Sequence, residues 1–157
     1  LSTQKPQHEN PQIILGDFYT TIGNQDKALT SYEKATTLNP ASLVARDRLL
    51  NHLLDTGKFS DAEQRIHALL SINKDDKTTQ FFQARLLIAQ GKGAEAVPTF
   101  QRMIKEEPWV PVFHHFLGLA LIQSSQPGQA VGALTEAFTL PRAHTTSRSN
   151  RLRLHSN

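Results

Sequence analysis

The chain contains no cysteine, and only one methionine, one tryptophan and two tyrosines occur among its 157 residues. Without cysteine there is no disulfide, no thiolate metal site and no cysteine nucleophile, although the absence does not choose between a reducing and an oxidising compartment. Long apolar runs are missing too. Nothing approaches the roughly 18 consecutive apolar residues of a membrane-crossing helix, and hydrophobic residues make up an ordinary 38%. The sequence therefore reads as soluble, in cytoplasm or periplasm. It opens Leu1-Ser2-Thr3-Gln4-Lys5 with neither a methionine nor an apolar signal core, so a targeting segment is expected to be absent or already removed. Most of the chain also lacks an excess of either charge. Residues 141–157 hold Arg142, Arg148, Arg151 and Arg153 and no acid, which leaves 13 of the 17 basic residues against all 14 acidic ones. Four arginines with no aromatic between them lack the stacking platform that single-stranded nucleic acid uses. The expectation is a basic, disordered tail at 142–157 and a flexible stretch at 1–8.

What is present is a period. Alanine stands at 28, 62, 96 and 130, a bulky residue follows four places later (Tyr32, Ile66, Phe100, Leu134), and Ala35, Leu69, Met103 and Ala137 come three beyond. A return every 34 residues is the signature of stacked helix pairs. Gly23, Gly57 and Gly91 keep the same spacing, which suits helix ends that need a left-handed residue. Pro40 and Pro108 share a second phase, with Pro141 one residue early, where proline separates one helix from the next. Period and punctuation predict eight helices near 10–22, 26–38, 43–56, 59–72, 77–90, 93–106, 111–124 and 127–139. Pro111 and Pro127 fit first turns; Pro98 falls deeper, and a local distortion is expected there.

The first period, with Leu15-Gly16, Tyr19, Gly23, Ala28, Tyr32, Ala35 and Pro40, resembles the tetratricopeptide repeat family at nearly every signature position. The second departs most, with Leu50 where the small residue belongs and Lys74 where proline belongs. The third keeps Ala84, Gly91, Ala96, Phe100 and Pro108; the fourth keeps Leu117-Gly118, Ala130 and Ala137 but has Ser125 for the turn glycine. The resemblance implies an all-α, right-handed superhelix of four helix-turn-helix repeats near 9–42, 43–76, 77–110 and 111–141, with a concave groove lined by the first helix of each pair. The family's groove positions fall on Asp17, Thr20, Asp47, Asn51, Leu54, Asp55, Phe81, Arg85, Ile88, His115, Leu119 and Ile122. Acidic and polar at one end and mostly apolar at the other, this set suits a peptide or partner helix with basic and apolar side chains. A plainer alternative pairs Arg85 with Asp47 or Asp55 across neighbouring helices. The family's clamp for a chaperone's C-terminal carboxylate is not matched: Asn51 fits, but Ile13, Asp17, Thr78 and Phe82 occupy other clamp places.

Signals for chemistry are thin. His114 and His115 are adjacent and diverge on a helix, and His52 and His67 read as surface or groove residues. Gly91-Lys92-Gly93 lacks the strand before it and the Lys-Ser/Thr step of a phosphate loop. Asp75-Asp76 and Glu106-Glu107 suit solvated helix ends. No nucleophile, base and orienting group come together. The reading is a non-enzymatic interaction scaffold with no metal and no cofactor. Two alternatives stand beside it: a docking region of a larger enzyme such as a glycosyl- or sulfotransferase, and an assembly factor of a bacterial envelope system, for pilus or polysaccharide export. Residues 141–157 carry no helical apolar stripe, so Leu134 and Phe138 of the last repeat are expected to need cover, from self-association, further repeats or a docked tail.

Overall fold

The computed structural model describes residues 9–141, so the flexible and basic tails expected at 1–8 and 142–157 lie outside the described residues. Eight helices follow in tandem: α1 (Glu9–Thr21), α2 (Gln25–Leu38), α3 (Leu43–Asp55), α4 (Phe59–Ile72), α5 (Lys77–Ala89), α6 (Gly93–Glu106), α7 (Pro111–Gln123) and α8 (Pro127–Thr139). They form four helix-turn-helix repeats, and among the described residues there is no strand. Every boundary lies within one residue of its expected place. The chain divides into two compact units, one up to Leu86 and one from Leu87 onward, so the division falls inside α5.

Every turn within a hairpin is closed in the same way. At each first-helix end one amide bonds five residues back and its predecessor three back: Asn24 N–H to Tyr19 O (2.8 Å) and Gly23 N–H to Thr20 O (3.1 Å) in the first repeat. The pattern returns at Lys58 to Leu53 (2.8 Å), Lys92 to Leu87 (2.7 Å) and Gln126 to Leu121 (2.8 Å). This closure satisfies the last carbonyls of a helix but requires one left-handed residue. Gly23, Gly57 and Gly91 supply it at φ +81°, +77° and +77°, and Ser125 is held at φ +60° in the fourth turn. Side chains cap the starts of α2 and α3: Asn24 accepts from Lys27 N–H and Ser42 from Ala45 N–H, both at 3.2 Å, which relieves an otherwise unpaired amide.

In the first unit the core gathers Ala28, Tyr32, Leu49, Leu50, Leu53, Leu54, Ala62, Ile66, Phe82 and Leu86. Ile13, Ala35 and Ala45 make a second small cluster. In the second unit Leu121, Ala130 and Ala133 pack with Val97 and Leu117, and the fully buried Phe100 stacks on Phe116 with ring centroids 5.9 Å apart. Small residues mark the crossings. A Cβ on Gly16 would stand 2.4 Å from the Tyr32 ring, and one on Gly118 2.5 Å from the Leu134 side chain. Gly93, at the start of α6, has a packing role of its own, since a Cβ there would sit 2.6 Å from Gln123 and 2.8 Å from the Ala120 carbonyl oxygen.

Pro98 lies inside a helix, as its place in the sequence suggested. Pro98 does not interrupt α6, which runs unbroken from Gly93 to Glu106. Proline removes the bond to the carbonyl four residues earlier, which belongs to Ala94. Both residues are exposed, so water can satisfy the freed oxygen and the helix continues.

Candidate functional site

Three polar residues of α3 and α5 form one connected group in the first unit. Arg85 donates through Nη1 to Asn51 Oδ1 and through Nη2 to Asp55 Oδ1 at 3.1 Å. Its side chain is only 12% exposed, whereas that of Asp55 is 68% exposed. The guanidinium carbon also lies 5.8 Å from the centroids of both the Phe81 and the Phe82 rings, within cation–π range. Burial pulls the Arg85 pKa below its ordinary value, and Asp55 works against that shift. The plainer pairing expected from sequence thus holds for Asp55, while Asp47 is engaged elsewhere.

Asp47 accepts from its neighbour Arg46 Nε at 3.1 Å. Burial raises its carboxyl above the ordinary range despite the hydrogen bond and charge of Arg46. Arg46 reaches on to Asp76 Oδ2 at 3.0 Å, and the same oxygen accepts from the fully buried Thr79 hydroxyl at 2.6 Å. Burial alone would raise the Asp76 carboxyl; the Thr79 hydrogen bond and the Arg46 charge outweigh it and hold the pKa below its usual value.

Asp17 forms a separate group on α1. It accepts from the Tyr32 hydroxyl at 2.6 Å and from Arg48 Nε at 3.0 Å, and both ion-pair partners stay roughly half exposed. Burial, then the hydrogen bond to Asp17, push the Tyr32 hydroxyl above its ordinary pKa. The Thr20 hydroxyl, exposed beside it, donates to Gly16 O at 3.0 Å.

In the second unit the expected groove residues are differently placed. His115 is exposed, with its ring edge-on to Phe116 at 5.2 Å. Ile122 is exposed, and Ile88 and Leu119 are half-buried. The Ile88 carbonyl accepts from Gln123 Nε2 at 2.8 Å.

Two sequence readings are overturned. Leu54 belongs to the buried core of the first unit, not to an open face. His52, read as a surface or groove residue, is buried on the side of α3 that meets α2; its Nε2 lies 3.1 Å from Gln25 O, and its ring lies 5.5 Å from Tyr32. His114 is likewise buried, with Nε2 2.9 Å from Pro108 O. The links Asp17–Tyr32, Asp17–Arg48 and Arg46–Asp76 were not foreseen: each spans 15 to 31 residues, and the only sequence signal for any of them is opposite charge near one repeat phase. Among the described residues no three His, Asp or Glu side chains cluster as a metal site, and no helix is long and apolar enough to cross a membrane.

Comparison with known proteins agrees with this architecture. Residues 12–42 match the family model for the tetratricopeptide repeat. No curated protein matches the chain. Among solved structures, a thermophilic tetratricopeptide protein of Thermus thermophilus is similar at a TM-score of 0.72 and 20% identity, covering 85% of this chain and 74% of that one. A tetratricopeptide repeat protein from Parabacteroides merdae reaches 0.73 at 19% identity, over 87% of this chain and 54% of that one. The protein MamA from Desulfovibrio magneticus reaches 0.63 at 18% identity, over 87% and 77%.

Proposed function

We propose that this tetratricopeptide repeat array is a non-catalytic scaffold that holds a segment of a partner protein against the exposed parts of α1, α3 and α5. The observation that carries the reading is the contrast within one ion pair: Arg85 is nearly covered and Asp55 is 68% exposed, beside the half-buried Phe81. A partner's lysine or arginine can reach the open side of the Asp55 carboxylate while an apolar neighbour lies on Phe81. Asp17, Asp47 and Asn51 would extend that polar stretch. Ile88, His115, Leu119 and Ile122 are the corresponding candidates in the second unit. Arg85 would hold Asp55 and Asn51 in place more than touch the ligand, because its side chain is largely enclosed.

The test is capture of binding partners by wild type and by a variant carrying Asp55→Ala and Phe81→Ala, with helical circular dichroism as a control. Loss of capture with an unchanged spectrum supports this face. Equal capture moves the site elsewhere. Arg85 is spared in this variant because removing a nearly buried partner would strand Asn51 and loosen α3 from α5. Lys34 and Gln101, both exposed second-helix residues, serve as controls whose replacement is expected to be neutral.

A second reading rests on a different observation. Phe138 is 83% exposed and Val131 65%, although Val97, one repeat before Val131, packs against the core of the second unit. Water disfavours such a face, and self-association through α8 would cover it. Sedimentation velocity over a concentration series should show concentration-dependent association that Phe138→Glu abolishes. A monomer at every concentration would sink this reading.

A further inference from the structure

The second repeat breaks the small-residue rule at its crossing, and the break coincides with a cavity. Gly16, Ala84 and Gly118 keep the crossing position short, whereas Leu50 occupies it in α3. The backbones of α3 and α4 approach one another less closely than those of α1 and α2 or of α7 and α8. Where α2, α3 and α4 converge lies a cavity of about 390 Å³. Leu49, Leu50 and Leu69 give it an apolar lining, and two arginines, Arg46 and Arg65, also line it. That volume, with an apolar lining and a few polar groups, is the usual make-up of a small-molecule site.

The two arginines differ in how firmly they are held. Arg46 is fixed by Asp47 at 3.1 Å and Asp76 at 3.0 Å, so its charge is answered within the protein. The ion-pair partner of Arg65, Glu33, is 3.9 Å away, and the arginine side chain is 44% exposed. That separation is longer than a hydrogen bond, so the guanidinium keeps donors available for a planar, two-oxygen acceptor. Glu33, Asp47 and Asp76 are the ion-pair partners of these two arginines and do not line the cavity; they leave too little unanswered positive charge for a doubly charged ligand such as a phosphate ester. We propose that this cavity binds a small amphipathic monocarboxylate, its apolar chain on Leu49, Leu50 and Leu69 and its carboxylate on Arg65. Leu50 makes the site by holding α3 away from α4. The cavity is separate from the α1, α3 and α5 face, so it does not depend on the scaffold reading.

The probe is octanoate, titrated into the full chain with leucine methyl groups labelled for NMR. Saturable shifts at Leu49, Leu50 and Leu69 are expected, with the fitted Kd about tenfold weaker in Arg65→Ala. Octylamine, of the same length and opposite charge, is expected to give none. Ala68→Trp, at an exposed position of α4 that lines the cavity, should fill it and abolish the shifts while α-helical circular dichroism is retained. Should that variant fail to fold, Arg65→Glu asks the same question at a half-exposed position. The proposal is overturned by absence of saturable shifts at millimolar octanoate, by equal response to octylamine, or by an unchanged Kd in both Arg65→Ala and Arg65→Glu.

Discussion

The first and second hairpins share one period and differ at one position of their crossing. In the first, Gly16 lets the Tyr32 ring lie directly on α1, and the ring's hydroxyl then reaches Asp17 at 2.6 Å. In the second, Leu50 fills the same place and is itself buried, so α3 and α4 meet less closely and a cavity opens beside them. The lesson is that the 34-residue period sets the order and direction of the helices. Between these two hairpins, the larger side chain at the crossing goes with the looser closure.

The largest effect should come from forcing the second arrangement onto the first. Gly16→Leu would drive a side chain into the Tyr32 ring and should cost about 3 kcal/mol by overpacking, read as a lower urea midpoint. A loss well under 1 kcal/mol would mean the first hairpin can open as the second does, and the comparison would fail. The reverse change, Leu50→Ala, should cost about 2 kcal/mol, near the low end for a buried leucine, because α4 can move in and take up part of the space. A loss near 5 kcal/mol would mean that α3 and α4 are held apart by something other than Leu50.

Weaker effects sharpen the comparison at the links between repeats. Asp76 ties the second repeat to the start of α5 through Arg46 and Thr79, and its carboxyl is held below the usual value. A depressed carboxyl stabilises the fold above the unfolded-state pKa near 4, and that contribution is lost as pH falls through the lower folded-state value. The urea midpoint of Asp76→Asn should therefore fall below wild type near pH 7 and approach it near pH 2; a gap that is constant with pH would assign the role to hydrogen-bond geometry alone. The smallest effect is expected in the fourth turn, where Ser125 takes the φ that glycine takes in the other three. Ser125→Gly should stabilise by roughly 0.5–1 kcal/mol, less than the full left-handed penalty because glycine loses more freedom on folding. A fall in melting temperature would show that the serine side chain contributes more than its backbone costs.

Much of this was legible in sequence because it depends on local backbone chemistry. Gly23, Gly57 and Gly91 marked turns since an αL residue is needed two residues past the end of the first helix of each pair, and the helix limits followed from them. The site was only partly legible. The positions of Asn51, Asp55, Phe81 and Arg85 came from the resemblance, but the choice of Asp55 over Asp47 did not, because it depends on how α5 lies along α3 within a few ångströms. His52 and Leu54 were misplaced for a related reason: repeat phase assigns a position to a helix face, and the width of the strip covered by the neighbouring helix is a matter of packing.

By itself the sequence determined the period, the eight helices and their turns, since these follow from glycine, proline and alanine acting over distances of a few residues. Only the tertiary structure decided which charges pair, that Pro98 could stay within an unbroken helix, and that Leu50 stands beside an open space. The Pro98 outcome depends on which side of α6 faces water, and the other two on the separation of packed helices, which is the joint outcome of many side chains meeting and is carried by no single stretch of the chain.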